Sequence, residues 1–297
     1  MNNRQQDHVL NLRESPELTY KLYKPSQLIT PFVRCFWVLK KGSPTNQPEL
    51  MLPDGYVDMV FNLGERYQRR EIATENRTAV TESHIVGQRT RTVYLAETTK
   101  VHLVGVKLRP FALQLLTNIP ANEFNNQLVP LTALTSQIAE IEEQLRNLST
   151  DDAQIHHLEQ VLEYHLFGHQ QEPTLDFGVQ KILRTHGKIP ITRLSAQLNM
   201  SRRTFERSFL QSVGMSPKQF AKVIRFKATF KHFKQNALAM QQQRYLDFGY
   251  YDQNHFIKDF KNFIDNTPSA YFAQFMQHSN DFLGMGIEKN SAHWLNY

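Results

Sequence analysis

Apolar positions change their period part-way along this chain. Between residues 18 and 109 they follow the two-residue alternation of half-buried strands: Tyr20-Lys21-Leu22-Tyr23, the aromatic run 32–39, the run 57–63, His84-Ile85-Val86 and VHLVGVKL at 101–108. Turn signals separate them at Lys41-Gly42-Ser43-Pro44, Pro53-Asp54-Gly55, Asn62-Leu63-Gly64 and Val86-Gly87. After residue 109 the period lengthens to three and four. Pro110-Phe111 can open a short helix through Leu116; longer helices are expected over 131–148 and 153–167, the second with Ile155, Leu158, Val161 and Leu162 inward. In the first, Leu134, Ile138, Ile141, Leu145 and Leu148 form a stripe that serves equally to cover the strands or to join two copies as a homodimer.

A second helical region runs over 189–275. Leu194, Ala196 and Leu198 mark a short helix, Asn199-Met200 a turn, and Ser201 the N-cap of a second helix whose inner face carries Phe205, Phe209 and Ser212. Arg203, Glu206 and Arg207 then point elsewhere. Gly214 stops that helix, and Ser216-Pro217 starts a basic one reaching about Lys234. The pattern recurs in YLDFGYYDQNHFIKDFKNFIDNTPSAYFAQF, where Gly249 turns the chain, Asp252 caps, and Phe256, Phe260 and Phe263 face inward. Asn254, Lys258 and Lys261 face out, with Gln253 and His255 at the helix start. The helix preceding this unit is short of apolar surface, because Gln241-Gln242-Gln243 and Arg244 occupy it.

The two units resemble each other, and GYYDQNHFIKDFKNFIDNTPSAYF resembles the DNA-binding domain of the AraC/XylS family of bacterial transcription regulators. The shared marks are a glycine-aromatic pair, an Asp-Gln-x-x-Phe helix start, a Phe-Lys pair and a Thr-Pro-x-x-Tyr ending. The resemblance covers roughly the last third of the chain. It implies two recognition helices of one monomer in neighbouring major grooves, with double-stranded operator or promoter DNA and RNA polymerase as partners. LMLPDGYVDMVFNLG at 50–64, Gly87-Gln88 and GVKLRPFALQLL at 105–116 resemble a domain often found ahead of such units.

The expected class is α+β with two domains. Residues 1–17 are expected to be disordered, and 18–167 to form a small cupin-like β-barrel with flanking helices. A linker follows at 168–175, an all-α double helix-turn-helix domain at 176–278, and a tail at 279–297. Charge agrees with this division: residues 175–280 hold 16 Lys and Arg against 6 Asp and Glu, a net +10, and the remainder is net −4. By chemistry, Arg203, Glu206, Arg207, Gln253, Asn254, His255 and Lys258 are the expected base readers. Ser201, Lys218, Lys222, Arg225, Lys227 and Lys261 are the expected backbone contacts.

Other chemistry is weaker. Cys35, the single cysteine, lies in the apolar run VRCFWVL and reads as core; it excludes an internal disulfide and a multi-cysteine zinc site. Asp54 and Asp58 in PDGYVD could pair as carboxylates, although Asp-Gly is foremost a turn former. His165 and His169 are four apart with Gly168 between them and no suitably spaced third ligand. No HExxH, GxSxG, Walker-type or dinucleotide-binding glycine motif appears. Neither a metal nor a cofactor is expected. Phe36, Trp37, Phe61 and Tyr94 are candidates to line an effector pocket, against the plainer reading that they fill the interior. With neither an apolar signal core at the N-terminus nor a run of about 18 apolar residues, a cytoplasmic protein without membrane contact is expected. The leading reading is a sequence-specific transcription regulator rather than an enzyme; the alternative is an enzyme or ligand carrier in the barrel, with the DNA-binding module used for placement or autoregulation.

Overall fold

In the computed structural model, residues 9–14, 18–42, 49–71, 76–98, 100–169, 172–235 and 243–277 are described. The N-terminal region is built of two antiparallel sheets. Seven strands pair in the order β1-β2-β3-β10-β5-β8-β11: Val9–Glu14, Leu18–Tyr23, Val33–Lys41, Val101–Leu108, Val57–Asn62, His84–Val86 and Leu128–Pro130. The other four pair as β4-β9-β6-β7: Glu49–Met51, Val93–Thr98, Tyr67–Glu71 and Arg77–Val80. The sheets remain separate among the described residues, so the expected barrel is instead an open pair of layers. Part of the expected loose N-terminus is also ordered, since β1 pairs with β2 through Leu12↔Lys21 and Arg13↔Tyr20.

Alternation along the central strands sends side chains to two different cores. Phe36, Val38, Val104 and Val106 face one way, toward a helical layer. That layer comprises α1 (Ala112–Thr117), α2 (Ile138–Asn147) and α3 (Asp151–Leu166), which contribute Leu113, Ile138, Leu145, Ile155 and Leu158. Cys35, Trp37, Leu39 and Leu103 face the other way and meet Tyr67, Val80 and Leu95 of the smaller sheet. The stripe at 131–148 therefore covers a sheet: Ile138 and Leu145 are buried in this core and Leu134 and Ile141 pack against it. A strand and a single 3-10 turn occupy 128–133, so helix α2 is shorter than expected.

The C-terminal region starts inside the expected linker, at α4 (Pro173–Arg184), whose Leu175, Val179 and Ile182 enter its core. Proline at the first turn explains the start, because its missing N–H would have no partner there anyway. Helices α5 (Ile191–Gln197) and α6 (Arg202–Val213) form the first unit, α7 (Pro217–Gln235) the connecting helix, and α8 (Gln253–Ile264) and α9 (Pro268–Gln277) the second. Among the described residues, the second unit is preceded by a five-residue 3-10 helix, Arg244–Phe248. Tyr245 supplies its apolar anchor, buried and stacked on Phe256 at 5.4 Å with planes 4° apart. Gln241 and Gln242 lie outside the described residues.

Candidate nucleic-acid interface

Helices α6 and α8 begin as their sequences require. The Ser201 hydroxyl accepts from the Thr204 N–H at 3.1 Å, and the Asp252 carboxylate accepts from the His255 N–H at 2.7 Å, so each cap satisfies one orphan amide of the first turn. Both end on a left-handed residue, Gly214 at φ 96° and Asp265 at φ 57°. Phe205 and Phe209 on α6, and Phe256, Phe260 and Phe263 on α8, are buried in one core with Phe226 and Phe230 of α7. That burial leaves Arg203 and Arg207 exposed on α6, and Gln253, Asn254, Lys258 and Lys261 exposed on α8.

Two expected readers have internal partners. Glu206 accepts from Arg202 Nε at 2.8 Å, one helical turn away. His255, half-buried, packs edge-on to Tyr250 with ring centroids 5.1 Å apart, and its Nε2 is 4.0 Å from Asp259.

The connecting helix differs more from expectation. Of its four candidate phosphate contacts, Lys218 is exposed and the others are engaged inside the protein. Asp259 of α8, buried, receives Lys222 at 3.0 Å and Arg225 at 3.4 Å. Lys222 also lies 5.4 Å from the Phe263 ring centre and Arg225 4.8 Å from that of Tyr250. Lys227 points at the N-terminal region, with its ammonium 5.4 Å from the Tyr56 ring centre. Burial pushes this ammonium below its ordinary value, with Asp54 pulling it back. These three cations bind helix to helix and domain to domain, work that spacing along one helix does not reveal.

The N-terminal region contacts this unit at several places, three of which bear on α6, α7 and α8 in turn. Thr92 N–H donates to the Phe263 carbonyl, in the last turn of α8, at 3.2 Å. Asn125 Nδ2 donates to the Gly214 carbonyl at the end of α6. Between them the 53–56 turn meets α7. Gly55 has φ 82°, and a Cβ there would come within 2.8 Å of Ile224 Cδ1 and 2.9 Å of Phe220 Cε2, so only glycine permits both the turn and the contact. The Asp54 carboxylate accepts from the Tyr56 N–H at 3.1 Å, the turn expected of Asp-Gly.

Asp54 and Asp58 do converge, on Lys107, at 2.8 and 3.0 Å. Burial pushes the Asp54 carboxyl up, and Lys107, Lys227 and Arg89 more than reverse it, leaving it well below the usual carboxylate range. The pair is thus an internal ion cluster beside the domain contact. His165 and His169 are exposed beyond or at the end of α3. The four aromatic pocket candidates are not brought together. Phe36 and Phe61 fill the core under the helices, Trp37 lies between the sheets, and Tyr94 packs toward the C-terminal core under Arg70. Adjacent residues on a strand face opposite ways, which by itself separates Phe36 from Trp37.

Residues 194–274 match the family described as "Helix-turn-helix domain". Over 84 residues the chain is 37% identical to an uncharacterized HTH-type transcriptional regulator of Haemophilus influenzae, covering 27% of this chain and 27% of that protein. The C-terminal region is a helix-turn-helix domain of the AraC/XylS type. The chain spans only about a quarter of the length of that relative. Residues 21–130 match "Domain of unknown function (DUF6597)". Among solved structures, ToxT from Vibrio cholerae O395 aligns with a TM-score of 0.42 and 11% identity over 80% of this chain and 95% of that one. An unsaturated fatty acid-bound ToxT from strain SCE256 aligns with a TM-score of 0.39 and 14% identity over 93% and 100%. In the AraC/XylS-type domain, the first turns of α6 and α8 are exposed.

Proposed function

We propose that the protein is a sequence-specific transcription regulator whose helices α6 and α8 read neighbouring major grooves of one DNA face. The observation that carries this is the pairing of two capped helices on one phenylalanine core, α6 presenting Arg203 and Arg207 and α8 presenting Gln253, Asn254 and Lys258 on exposed positions of their N-terminal halves. Helix α7, with 19 residues, spans about 28 Å at 1.5 Å per residue, somewhat less than the ~34 Å between successive major-groove faces. Arg203 and Arg207 match guanine edges, and Gln253 and Asn254 match adenine. Lys218, Lys261 and the Ser201 cap supply backbone contacts. RNA polymerase is the partner such a regulator acts upon at a promoter. The stripe at 131–148 is occupied within the chain, so it is not proposed as a dimer interface. No observation favours the enzyme or carrier reading over this one.

Selection of binding sites from random duplex DNA tests the proposal. Two short motifs about one helical turn apart should be enriched. Enrichment of a single motif would limit reading to one helix, and no enrichment would refute sequence-specific binding.

A further inference from the structure

Beside the four-stranded sheet, where the 88–92 segment runs into β9, lies a cavity of about 300 Å³. Its wall carries three arginines, Arg69 on β6 and Arg89 and Arg91 ahead of β9, together with Thr90, Thr92 and Asn126. Val93 contributes apolar surface and Glu71, exposed, the one carboxylate. Strand alternation explains the inward aim of Arg69, which shares its face of β6 with the buried Tyr67. The 88–92 segment is fixed from outside: Gln88 Nε2 donates to the Gly55 carbonyl at 3.0 Å, and the Thr90 N–H donates to Asn126 Oδ1 at 2.9 Å.

The donors in this cavity outnumber their acceptors. Arg89, only 6% exposed, donates from Nη2 to the Leu52 carbonyl at 3.2 Å, a neutral partner. Arg69 Nε and Thr92 Oγ1 are buried and have no hydrogen-bond partner among the described residues. Nor does a carboxylate come within ion-pair distance of Arg69, Arg89 or Arg91 among those residues. Burial, and then the neighbouring Arg89, push the Arg69 guanidinium down to about 10, so it remains charged near neutrality. Three guanidinium-bearing residues gathered around one cavity, two of its lining side chains holding buried donors without an acceptor, are what an anion would neutralise.

We propose that this cavity binds a small polyanion through its phosphoryl or carboxylate groups, held by Arg69, Arg89, Arg91 and Thr92. Guanidinium forks match either oxyanion in pairs of parallel hydrogen bonds, and the volume suits a compact metabolite rather than a polymer. Thr92 belongs both to this wall and to the contact with α8, so the occupant sits one residue's length from a reading helix. The site regulates the function proposed above but binds its ligand without DNA, which keeps the two tests separate.

Calorimetric titration of the full chain, without DNA and at constant ionic strength, decides the matter with inorganic phosphate and citrate as probes. At least one should bind saturably, and which one identifies the oxyanion. Arg91→Gln, an exposed position that leaves the fold intact, and Arg69→Gln should each weaken that binding about tenfold or more. Arg207→Gln should leave it unchanged. The inference is overturned if neither probe saturates below about 10 mM, a limit of roughly 3 kcal/mol in affinity. It is equally overturned if the loss appears in Arg207→Gln but not in Arg91→Gln, which would place the anion on the DNA-facing helix.

Discussion

Asp259→Asn is the substitution that most directly probes how α8 is held. The carboxylate is 5% exposed and receives Lys222 at 3.0 Å and Arg225 at 3.4 Å, both from α7. Asparagine keeps the shape and one acceptor but leaves two cations facing a neutral amide. Removing one partner of a fully buried pair costs about 3–5 kcal/mol. Here Lys222 retains 33% and Arg225 17% of its side-chain exposure, so both can recover some hydration. Charged hydrogen bonds contribute about 1.5–3 kcal/mol each at most, and the stacking on Tyr250 and Phe263 survives, so a net loss of about 2–3 kcal/mol is expected. For a helical domain of about 100 residues, with roughly 4–8 °C per kcal/mol, the helical melting transition should fall by about 10 °C or more. Circular dichroism at 222 nm follows it, since the described helices are concentrated in this region. Adding Lys222→Met to Asp259→Asn should recover about 1 kcal/mol by removing the orphaned charge. A fall below about 2 °C, or losses that simply add in the double variant, would refute the reasoning and make these contacts ordinary screened surface pairs.

Three further outcomes follow from the same geometry. Arg207→Ala should cost about 1–3 kcal/mol at a single base position and relax preference there, as read by competition among operator variants; a uniform loss over all sequences would make it a phosphate contact. Neutralising Lys218 should reduce the slope of log affinity against log salt by about one unit, whereas Lys227→Met should leave it unchanged because that ammonium faces Tyr56. The Asp54 carboxyl, held below its unfolded value, contributes stability that is present above about pH 4 and lost as pH falls through the folded value. Acid titration followed by Trp37 fluorescence, whose Nε1 donates to Asp58 at 3.3 Å, should therefore show a shallower acid limb in Lys107→Met than in the native protein.

The helix-turn-helix units were legible because their signals are local. Ser201 and Asp252 cap within three residues, Gly214 and Gly249 take left-handed conformations where turns were expected, and phenylalanines four apart define one face. What escaped detection depends on distant partners. Asp259 lies 34 residues from Arg225 and 37 from Lys222, so cations that look like phosphate contacts on a helical wheel are spent on another helix. Strand existence could be read from alternation, but whether strands close a barrel or form two open layers depends on pairings such as Val57↔Leu108 and Arg69↔Leu95. The aromatic pocket candidates Phe36, Phe61, Trp37 and Tyr94 are divided among three apolar clusters, a separation that depends on strand pairing. The cavity of the proposed anion site is marked in the sequence by Arg89 and Arg91 in GQRTRT, two apart and both in its lining with Arg69.

The contacts of the N-terminal region with the ends of α6 and α8 and with α7 have a mechanical meaning. Thr92 grasps the far end of α8, Asn125 the far end of α6, and the Gly55 turn bears on α7 between them. A lever held at its far end turns small displacements there into a change of pitch at its tip. Suppressor mutations that retune the protein to operators with one base pair added or removed between motifs should therefore fall in the 53–56, 87–92 and 121–126 segments, remote from DNA, before they fall among the side chains that touch it.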